Sequence, residues 1–355
     1  MTNDIPDITV TSELIKIKNT NPLLRDVVCL IGCFEDTETL NTPKFCKTLT
    51  GAENIFGDDT QYDGNAALKQ IFRKDISGCI IVNCTSTSGS GDNITVNRTL
   101  TVSKIETALN LVRLIDFNSL YCAVEYTDAI IDAVEEFCNS RFRGKRPCGY
   151  TGVGSRTNAS TYTTTANKLG DHNQAFLTQA LEVNGTQLSL VESGAYLTNL
   201  IATLPVGSSL TAKILDEVTG IGTEYTFDEG DLGHTLVGLG FFVVRLIDAL
   251  NMTYECVNSA NHNGVDLYIN RVTDYVVDDF ALRKVLGENN IVGAELITLE
   301  CGRLYNKFVN TFKLVKDIIY TIEKVDSETI NVNLQDLVFA GVVTHINLNI
   351  TIRVE

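Results

Sequence analysis

The chain has 355 residues, of which 44% are hydrophobic and 20% are charged, and its formal net charge at pH 7 is −16. These values are typical of a globular protein with a large core, and the length suggests about two domains. Because nucleic acids are bound through basic surfaces, the acidic charge argues against a nucleic-acid partner. The longest apolar run, Leu236–Val244, is much shorter than the roughly 20 residues of a spanning helix, so we expect no membrane span.

The first 20 residues predict an extended arm. Apolar residues such as Ile8 and Val10 alternate weakly with polar ones, and Pro22 then interrupts the pattern. The first strong element is the β-branched run Asp26–Gly32, which predicts a strand covered on both faces.

Strand and helix patterns alternate from residue 26 to residue 153. Further buried strands are predicted at 79–82, 120–124 and 148–153, and helices at 66–73, from 103 and at 127–141. Ser103 and Glu106 have the spacing of a capping box at the start of the second helix. This alternation predicts a parallel α/β layer sandwich.

The pattern changes after a polar stretch at 155–168. Asn184 and Gly185 lie between apolar alternations and predict a hairpin at 180–191. Helices are predicted at 196–204, at 271–286 and from 290, and a buried strand at 241–247.

The chain returns to strand character from residue 337. Between Ile346 and Val354, apolar and polar residues alternate without a break, which predicts a strand with one buried face, in its own sheet or in a neighbour's. The predicted organisation is therefore an N-terminal arm (1–20), an α/β core subdomain (21–155), a second, α+β subdomain (156–335) and a C-terminal β arm (336–355).

Ten cysteines are scattered along the chain, most of them inside apolar runs. Cys29 and Cys33 would share a face of an extended strand, but no second pair or nearby histidine completes a zinc site. We therefore expect buried thiols in a reducing compartment and no metal.

No constellation of catalytic residues is apparent. Gly152-x-Gly154 follows a predicted strand but lacks the rest of a dinucleotide fingerprint, the four histidines lack metal-binding spacing, and no Gly-x-Ser-x-Gly motif occurs. Asp274, Asp278 and Asp279 are interpreted as carboxylates at a helix start, with Asp279 paired to Arg283, and not as a metal or acid–base site. We expect neither enzymatic activity nor a cofactor.

The densest basic run contains Arg141, Arg143, Lys145 and Arg146. Nucleic-acid binding would need aromatic side chains interleaved over a wider surface, and Phe142 alone does not supply them. The run is therefore interpreted as a patch that faces another subunit or a protein partner.

Short motifs follow one another in a definite order along nearly the whole chain. In the first half they are Val27–Gly32, Asn41-Thr42-Pro43, Asn54-Ile55-Phe56-Gly57, Ala66–Phe72 and Cys79–Val82. In the second half they are Gly194–Leu197, Leu204–Thr211, Gly240–Val244, Asn270–Val276 and Phe339–Val354. In this order they resemble the contractile tail sheath proteins of phages, R-type bacteriocins and related injection systems. Thr198-Asn199 departs from the small residue usual in that family, and 155–190 has no counterpart.

This resemblance implies a subunit that polymerises into stacked six-fold rings around an inner tail tube and contracts to drive the tube through a target envelope. The implied partners are other copies of the chain, the inner tail tube protein, and baseplate and tail terminator proteins. The implied location is the tail of a virion or of a phage-tail-like particle, assembled in the host cytoplasm.

The resemblance also implies that arms at both termini extend the sheets of neighbouring subunits. The candidate linking residues are Ile8, Val10, Ile346, Leu348, Ile350, Ile352 and Val354. Lys307 and Lys313, on the long helical segment near the C-terminus, are candidates for facing the tube. The alternatives are a non-contractile tail or shell assembly protein and a nucleotide-binding α/β enzyme at the Gly152 turn.

Overall fold

We analysed a computed structural model of the chain, which describes residues 26–89, 94–115, 117–139, 150–155, 174–259, 266–279, 290–324 and 330–339. The strands are β1 Val27–Gly32, β2 Lys44–Cys46, β3 Gly78–Asn83, β4 Ser86–Ser88, β5 Thr95–Asn97, β6 Ser119–Cys122, β7 Tyr150–Ser155, β8 Gln174–Leu177, β9 Leu181–Val183, β10 Thr186–Gln187, β11 Lys213–Ile214, β12 Val218–Ile221, β13 Val243–Asp248, β14 Thr253–Asn258, β15 Asp317–Lys324 and β16 Ile330–Val338. The helices are α1 Leu49–Phe56, α2 Asp63–Ile71, α3 Val102–Val112, α4 Asp128–Asn139, α5 Leu190–Thr203, α6 Leu232–Gly238, α7 Leu267–Asp279 and α8 Asn290–Tyr305, and a π-helical segment follows at Asn306–Thr311.

The largest element is a six-stranded sheet with the order β2-β3-β1-β6-β7-β8. Strands β3, β1, β6, β7 and β8 are parallel, and β2 pairs antiparallel at one edge. Counted along the chain, the parallel strands have the order 2-1-3-4-5, which is a common doubly wound arrangement. The predicted α/β class is confirmed. Strand β8 joins this sheet although it lies beyond residue 155, and the domain boundaries at 155 and 335 remain predictions.

Helices cover both faces of this sheet. Alternate residues of β1 belong to two different cores: Cys29 and Ile31 pack towards α3 and α4, whereas Val28 and Leu30 pack towards α1, α2 and α5. All six residues of β1 are buried, as expected of an interior parallel strand, which has no face turned to water.

The rest of the described chain forms two smaller cores. The first contains the sheets β10-β9-β12 and β11-β14-β13 together with one side of α5. The Asn184-Gly185 turn that joins β9 and β10 has positive φ angles of 49° and 76°, the geometry that favours Asn-Gly in a hairpin. The second core lies between α7, α8, the π-helical segment and the hairpin of β15 and β16.

Several helix starts differ from the sequence predictions: α2 begins at Asp63 and α7 at Leu267, before the predicted 66 and 271. The N-cap of α3 is Thr101, whose side chain accepts from the backbone N–H of Lys104, so the predicted capping box of Ser103 and Glu106 is wrong. Helix α5 begins at Leu190, before the predicted 196, and its capping box is formed by Ser189 and Glu192. The predicted hairpin at 180–191 is shorter for the same reason, because its last residues are helical.

Three strand predictions also need correction. Only the first two residues of β13 are buried, because its second half alternates and Arg245 pairs with Glu255 of β14 on the exposed side. Gly152 and Gly154 lie inside β7 and not in a turn after it. Strand character near the C-terminus begins before residue 337, with β15 and β16, whereas Ile346–Val354 lies outside the described residues.

Candidate assembly surfaces

The β15–β16 hairpin is a long two-stranded sheet. Eight residue pairs join its strands, from Asp317 opposite Val338 to Lys324 opposite Ile330, with an irregularity between Ile319 and Tyr320. Within the described part of the chain, no other strand pairs with either outer edge. An isolated pair of strands is marginally stable in water, and its outer edges present backbone N–H and C=O groups to a further strand.

One face of this hairpin is packed onto helices. Ile318 is buried in a core that also contains Val272 and Val276 of α7 and Leu304 of α8. Phe339, directly after β16, contacts Tyr268 of α7 edge to face, with ring centroids 6.1 Å apart. The helices therefore fix the position of the hairpin while its edges remain open within the described chain.

Lys307 is held by groups of its own subunit. Its Nζ lies 2.7 Å from Asp279 Oδ1 and 5.0, 5.3 and 5.5 Å from the ring centroids of Tyr275, Phe308 and Phe312. A carboxylate together with aromatic ring faces is a favourable environment for an ammonium group. Lys307 and Phe308 lie on the π-helical segment at 306–311. We call the group of Asp279 and the three aromatic rings around the Lys307 ammonium the Lys307 cage.

Lys313, the second candidate, lies in a different environment. It is exposed and follows the π-helical segment with a positive φ of 53°. Its side chain is therefore available to a partner, whereas that of Lys307 is largely engaged. The tube-facing role of both lysines stays a prediction.

Asp279 joins α7 to α8. Its Oδ2 lies 2.7 Å from Arg303 Nη1, and its Oδ1 contacts Lys307. Hydrogen bonds from Arg303 to Glu300 and Asp279 raise the pKa of the Arg303 guanidinium. Helix α7 begins at Leu267, so Asp274 lies in its middle and Asp279 at its described end, and the prediction that these carboxylates mark a helix start is wrong. The predicted partner, Arg283, lies outside the described residues, and Asp279 contacts Arg303 and Lys307 instead.

Asn199 holds α5 to the end of α2. Its Nδ2 donates to the carbonyl oxygens of Ile71 (2.7 Å) and Lys74 (3.0 Å), and its Oδ1 accepts from Lys74 N (3.1 Å). The fully buried amide thus satisfies backbone groups at the end of α2, where a helix leaves carbonyls without partners. In the sequence, Thr198-Asn199 stands out only as a departure from the resemblance; the signal that points to Asn199 is an amide inside an apolar helix.

A second polar cluster surrounds Asp266 at the start of α7. Its Oδ2 accepts hydrogen bonds from Ser209 (2.7 Å), Thr211 (3.0 Å) and Ser259 (3.1 Å), and its Oδ1 accepts from Tyr268 N (3.0 Å). The Ser-x-Thr motif at 209–211 therefore ties the loop after α5 to α7. This cluster connects the two smaller cores.

The site at which a doubly wound sheet usually binds a ligand is filled by the chain itself. That site lies beyond the carboxyl ends of the strands where the strand order reverses, here β1 and β6. The carbonyl of Cys33 accepts from Gly64 N, and a Cβ added at Gly64 would lie 2.4 Å from that oxygen. The first turn of α2 thus sits directly on the end of β1.

Other sequence predictions concern cysteines, metals and the membrane. All nine described cysteines are buried and free, as predicted, and burial raises the pKa of Cys84 and Cys122 to about 12. Among the described residues, no group of three or more His, Cys, Asp or Glu side chains is placed to hold a metal ion. No helix in the described ranges is long and apolar enough to cross a membrane.

The other site residues predicted from the sequence are not among the residues that the structure describes. The linking residues Ile8, Val10, Ile346, Leu348, Ile350, Ile352 and Val354 lie outside the described ranges, as does the basic run at 141–146.

The arrangement of sheets and helices is that of tail sheath proteins. The sheath tail protein of Desulfitobacterium hafniense is similar with a TM-score of 0.64 and 12% identity, over 89% of this chain and 97% of the other. The sheath tail protein of Listeria innocua has a TM-score of 0.60 and 11% identity, over 84% and 89% of the two chains.

Structures of the anti-feeding prophage baseplate and helical sheath also contain this fold. A chain of the anti-feeding prophage baseplate matches with a TM-score of 0.68 and 12% identity, over 98% of this chain and 100% of the other. A chain of that prophage's helical sheath in its contracted state matches with a TM-score of 0.62 and 14% identity, over 97% and 99%. No family model and no curated protein matches by sequence. At these identities the likeness establishes the fold.

Proposed function

We propose that this chain is the structural subunit of a contractile tail sheath. It polymerises as helical six-fold rings around an inner tube and contracts to drive the tube through a target envelope. The observation that carries the proposal is the β15–β16 hairpin: a long strand pair, anchored on helices and open at both described edges, in a chain with the fold of tail sheath proteins.

Strand addition explains how such subunits would be joined. Main-chain hydrogen bonds to an open edge give strength, and alternate side chains on one face of the added strand give specificity. The N-terminal arm with Ile8 and Val10 and the C-terminal arm with Ile346, Leu348, Ile350, Ile352 and Val354 are the proposed donors. The apolar face of each arm would pack against the helices that support a neighbour's hairpin.

Contraction would then be a rearrangement of rigid cores linked by flexible joints. The six-stranded sheet and its two layers of helices form a body that changes little, and the arms allow that body to rotate without dissociation. The energy would come from contacts between subunits in the contracted lattice, and no nucleotide is required. The likeness to a chain of a contracted helical sheath supports this description.

The proposed partners are further copies of this chain, the inner tube protein, and baseplate and tail terminator proteins. Exposed Lys313 is the better supported tube-facing candidate, because Lys307 is engaged by Asp279. The proposed location is the tail of a virion or phage-tail-like particle, assembled in the host cytoplasm.

Electron microscopy of the protein at high concentration tests the proposal. We expect hollow helical tubes from the full chain and none from a variant that lacks residues 1–20. Ile350→Lys and Ile352→Lys should also abolish tubes, because they place charge on the apolar face of the C-terminal arm.

The matched controls are Asn349→Lys and Thr351→Lys, which add the same charge on the polar face and should leave tubes intact. If both sets of variants polymerise equally, strand donation by this arm is wrong. Tubes with one lattice under all conditions would favour a non-contractile tail protein. A full chain that forms no tubes, even with tube protein as template, would overturn the sheath function.

The tube contact is tested separately by Lys313→Glu. We expect loss of co-assembly with the tube protein while sheath tubes still form from the variant alone. If the Lys313→Glu and Lys307→Glu variants both co-assemble as the wild type does, neither lysine contributes to the tube contact.

A further inference from the structure

Two cysteines lie directly opposite each other at the edge of the six-stranded sheet. In the antiparallel pairing of β2 with β3, the partner of Cys46 is Cys79. Both side chains belong to the core between the sheet and helices α1 and α2, so they lie on the same face. Cys46 is 5% exposed, Cys79 is fully buried, and both thiols are free. Among the described antiparallel pairs, this is the one that sets two cysteines opposite each other.

This arrangement meets the geometric demands of a disulfide. Opposite residues of antiparallel strands have Cα atoms about 4.5 to 5.5 Å apart, and disulfides join residues whose Cα atoms are about 4.4 to 6.8 Å apart. We propose that Cys46 and Cys79 are a redox-modification site, which closes into a cross-strand disulfide when the subunit meets a small-molecule disulfide.

A second pair of neighbouring cysteines shows why this pair is favoured. Cys33 and Cys84 follow the last parallel pair of β1 and β3, Gly32 opposite Asn83. Parallel strands lie about 4.8 Å apart, which also falls within the Cα range of disulfides, so the position of the strands in the sheet decides between the two pairs. Both strands lie inside the sheet and cannot shift easily. Strand β2 has only three residues and lies at the edge, so it can adjust towards β3.

The reaction is two thiol–disulfide exchanges. The thiolate of Cys46 attacks one sulfur of oxidised glutathione, which forms a mixed disulfide and releases one glutathione thiolate. The thiolate of Cys79 then attacks the Cys46 sulfur and releases the second. Two protein thiols are oxidised, one glutathione disulfide is reduced, and the two thiol protons end on two glutathione molecules.

Burial makes this reaction slow. It raises the pKa of both thiols, more strongly for Cys79, while Lys44 beside Cys46 acts in the opposite direction there. Exchange therefore waits for opening of the short edge strand. Disulfides persist in oxidising environments and are rare in the cytosol. On the proposed function, the pair would remain reduced during assembly and close after release of the particle.

The test is incubation of the purified full chain with oxidised glutathione, followed by intact-mass measurement and peptide mapping. We expect a mass loss of about 2 Da and a linked peptide that contains Cys46 and Cys79. The unfolding temperature should rise by about 5 °C and return on reduction, because the crosslink constrains the unfolded chain.

Cys46→Ser should prevent both the mass loss and the temperature rise, and Cys33→Ser, the matched control in the same sheet, should prevent neither. A protein that stays fully reduced, or one whose linked peptide joins other cysteines, overturns the proposal. Wild-type mapping decides the question even if a variant folds poorly. The experiment uses the subunit alone, so its failure would leave the proposed sheath function untouched.

Discussion

The six-stranded sheet and the β15–β16 hairpin differ in how their backbone N–H and C=O groups find hydrogen-bond partners. Interior strands such as β1 are paired on both sides and covered on both faces, so their hydrogen bonds close within the subunit. The hairpin is covered on one face and, in the described chain, unpaired at both edges. The first region is closed by pairing within the subunit, whereas the second has edges that, on the proposed function, receive strands of neighbouring subunits.

This difference implies that substitutions in the two regions should act on different measurements. A change in the large sheet should lower the stability of the isolated subunit. A change at the hairpin or in the arms should leave that stability nearly unchanged and alter polymerisation instead. Core substitutions that leave the subunit as stable as before, or hairpin substitutions that unfold it, would contradict this difference between the two regions.

The largest expected effect is that of Leu30→Ala. Leu30 is fully buried in β1, and its truncation leaves a cavity between the sheet and the helices. We expect a loss of about 3 to 4 kcal/mol in the free energy of unfolding, measured by urea denaturation. Ile319→Ala in the hairpin is the control: Ile319 is 41% exposed, and its truncation should cost less than about 1 kcal/mol. Similar losses for both would contradict the comparison.

Asn199→Ala should have the next largest effect. Removing the amide leaves the carbonyls of Ile71 and Lys74 and the Lys74 N–H without their partner, which should cost about 2 to 3 kcal/mol in urea denaturation. Thr198→Ala is the matched control, because its hydroxyl bonds only to Gly194 in the same helix. Equal losses would show that Asn199 does not hold α5 to α2.

These two regions also show what the sequence predicts well. The strands around β1 were predicted because each is a continuous apolar run, a signal that needs no knowledge of distant residues. The start of α5 was misplaced because polar residues such as Glu192 and Ser193 interrupt its apolar pattern before residue 196. Ser193 is buried and accepts from the backbone N–H of Leu181, and buried Asn199 is satisfied by backbone more than 100 positions away in the chain. The pattern of neighbouring residues in the sequence does not reveal a contact over such a distance along the chain.

The hairpin was missed for a related reason. β15 contains the β-branched residues Ile318, Ile319, Thr321 and Ile322, which favour a strand, but the preceding helical spacing suggested that the helix continued. The π-helical segment at 306–311 ends that helix, and its aromatic cage around Lys307 depends on Asp279 and Tyr275 of α7. The arms lie outside the described residues, so the predicted linking residues stay a prediction.

The buried thiols predict a loss of stability at alkaline pH. Burial raises the pKa of Cys84 and Cys122 from 9.0 to about 12, so their stabilising effect is complete below pH 9 and is lost between pH 9 and 12, because the unfolded chain deprotonates first. By pH 10 these two thiols together should lower the free energy of unfolding by about 3 kcal/mol. Urea midpoints measured against pH would show it. The double variant Cys84→Ala and Cys122→Ala should flatten this dependence, and an unchanged slope would assign it to other groups.

The smallest expected effect separates the two lysines near the C-terminus. Lys307→Met removes the ammonium from Asp279 and the aromatic rings, but Arg303 still pairs with Asp279. Because Arg303 compensates and the site is partly exposed, we expect a loss of only about 1 kcal/mol in the free energy of unfolding, reduced further at high salt. Lys313→Met should change it by less than about 0.5 kcal/mol while weakening co-assembly with a tube protein. The reverse result, with Lys307 needed for co-assembly and irrelevant to stability, would mean that the cage opens when the subunit is assembled.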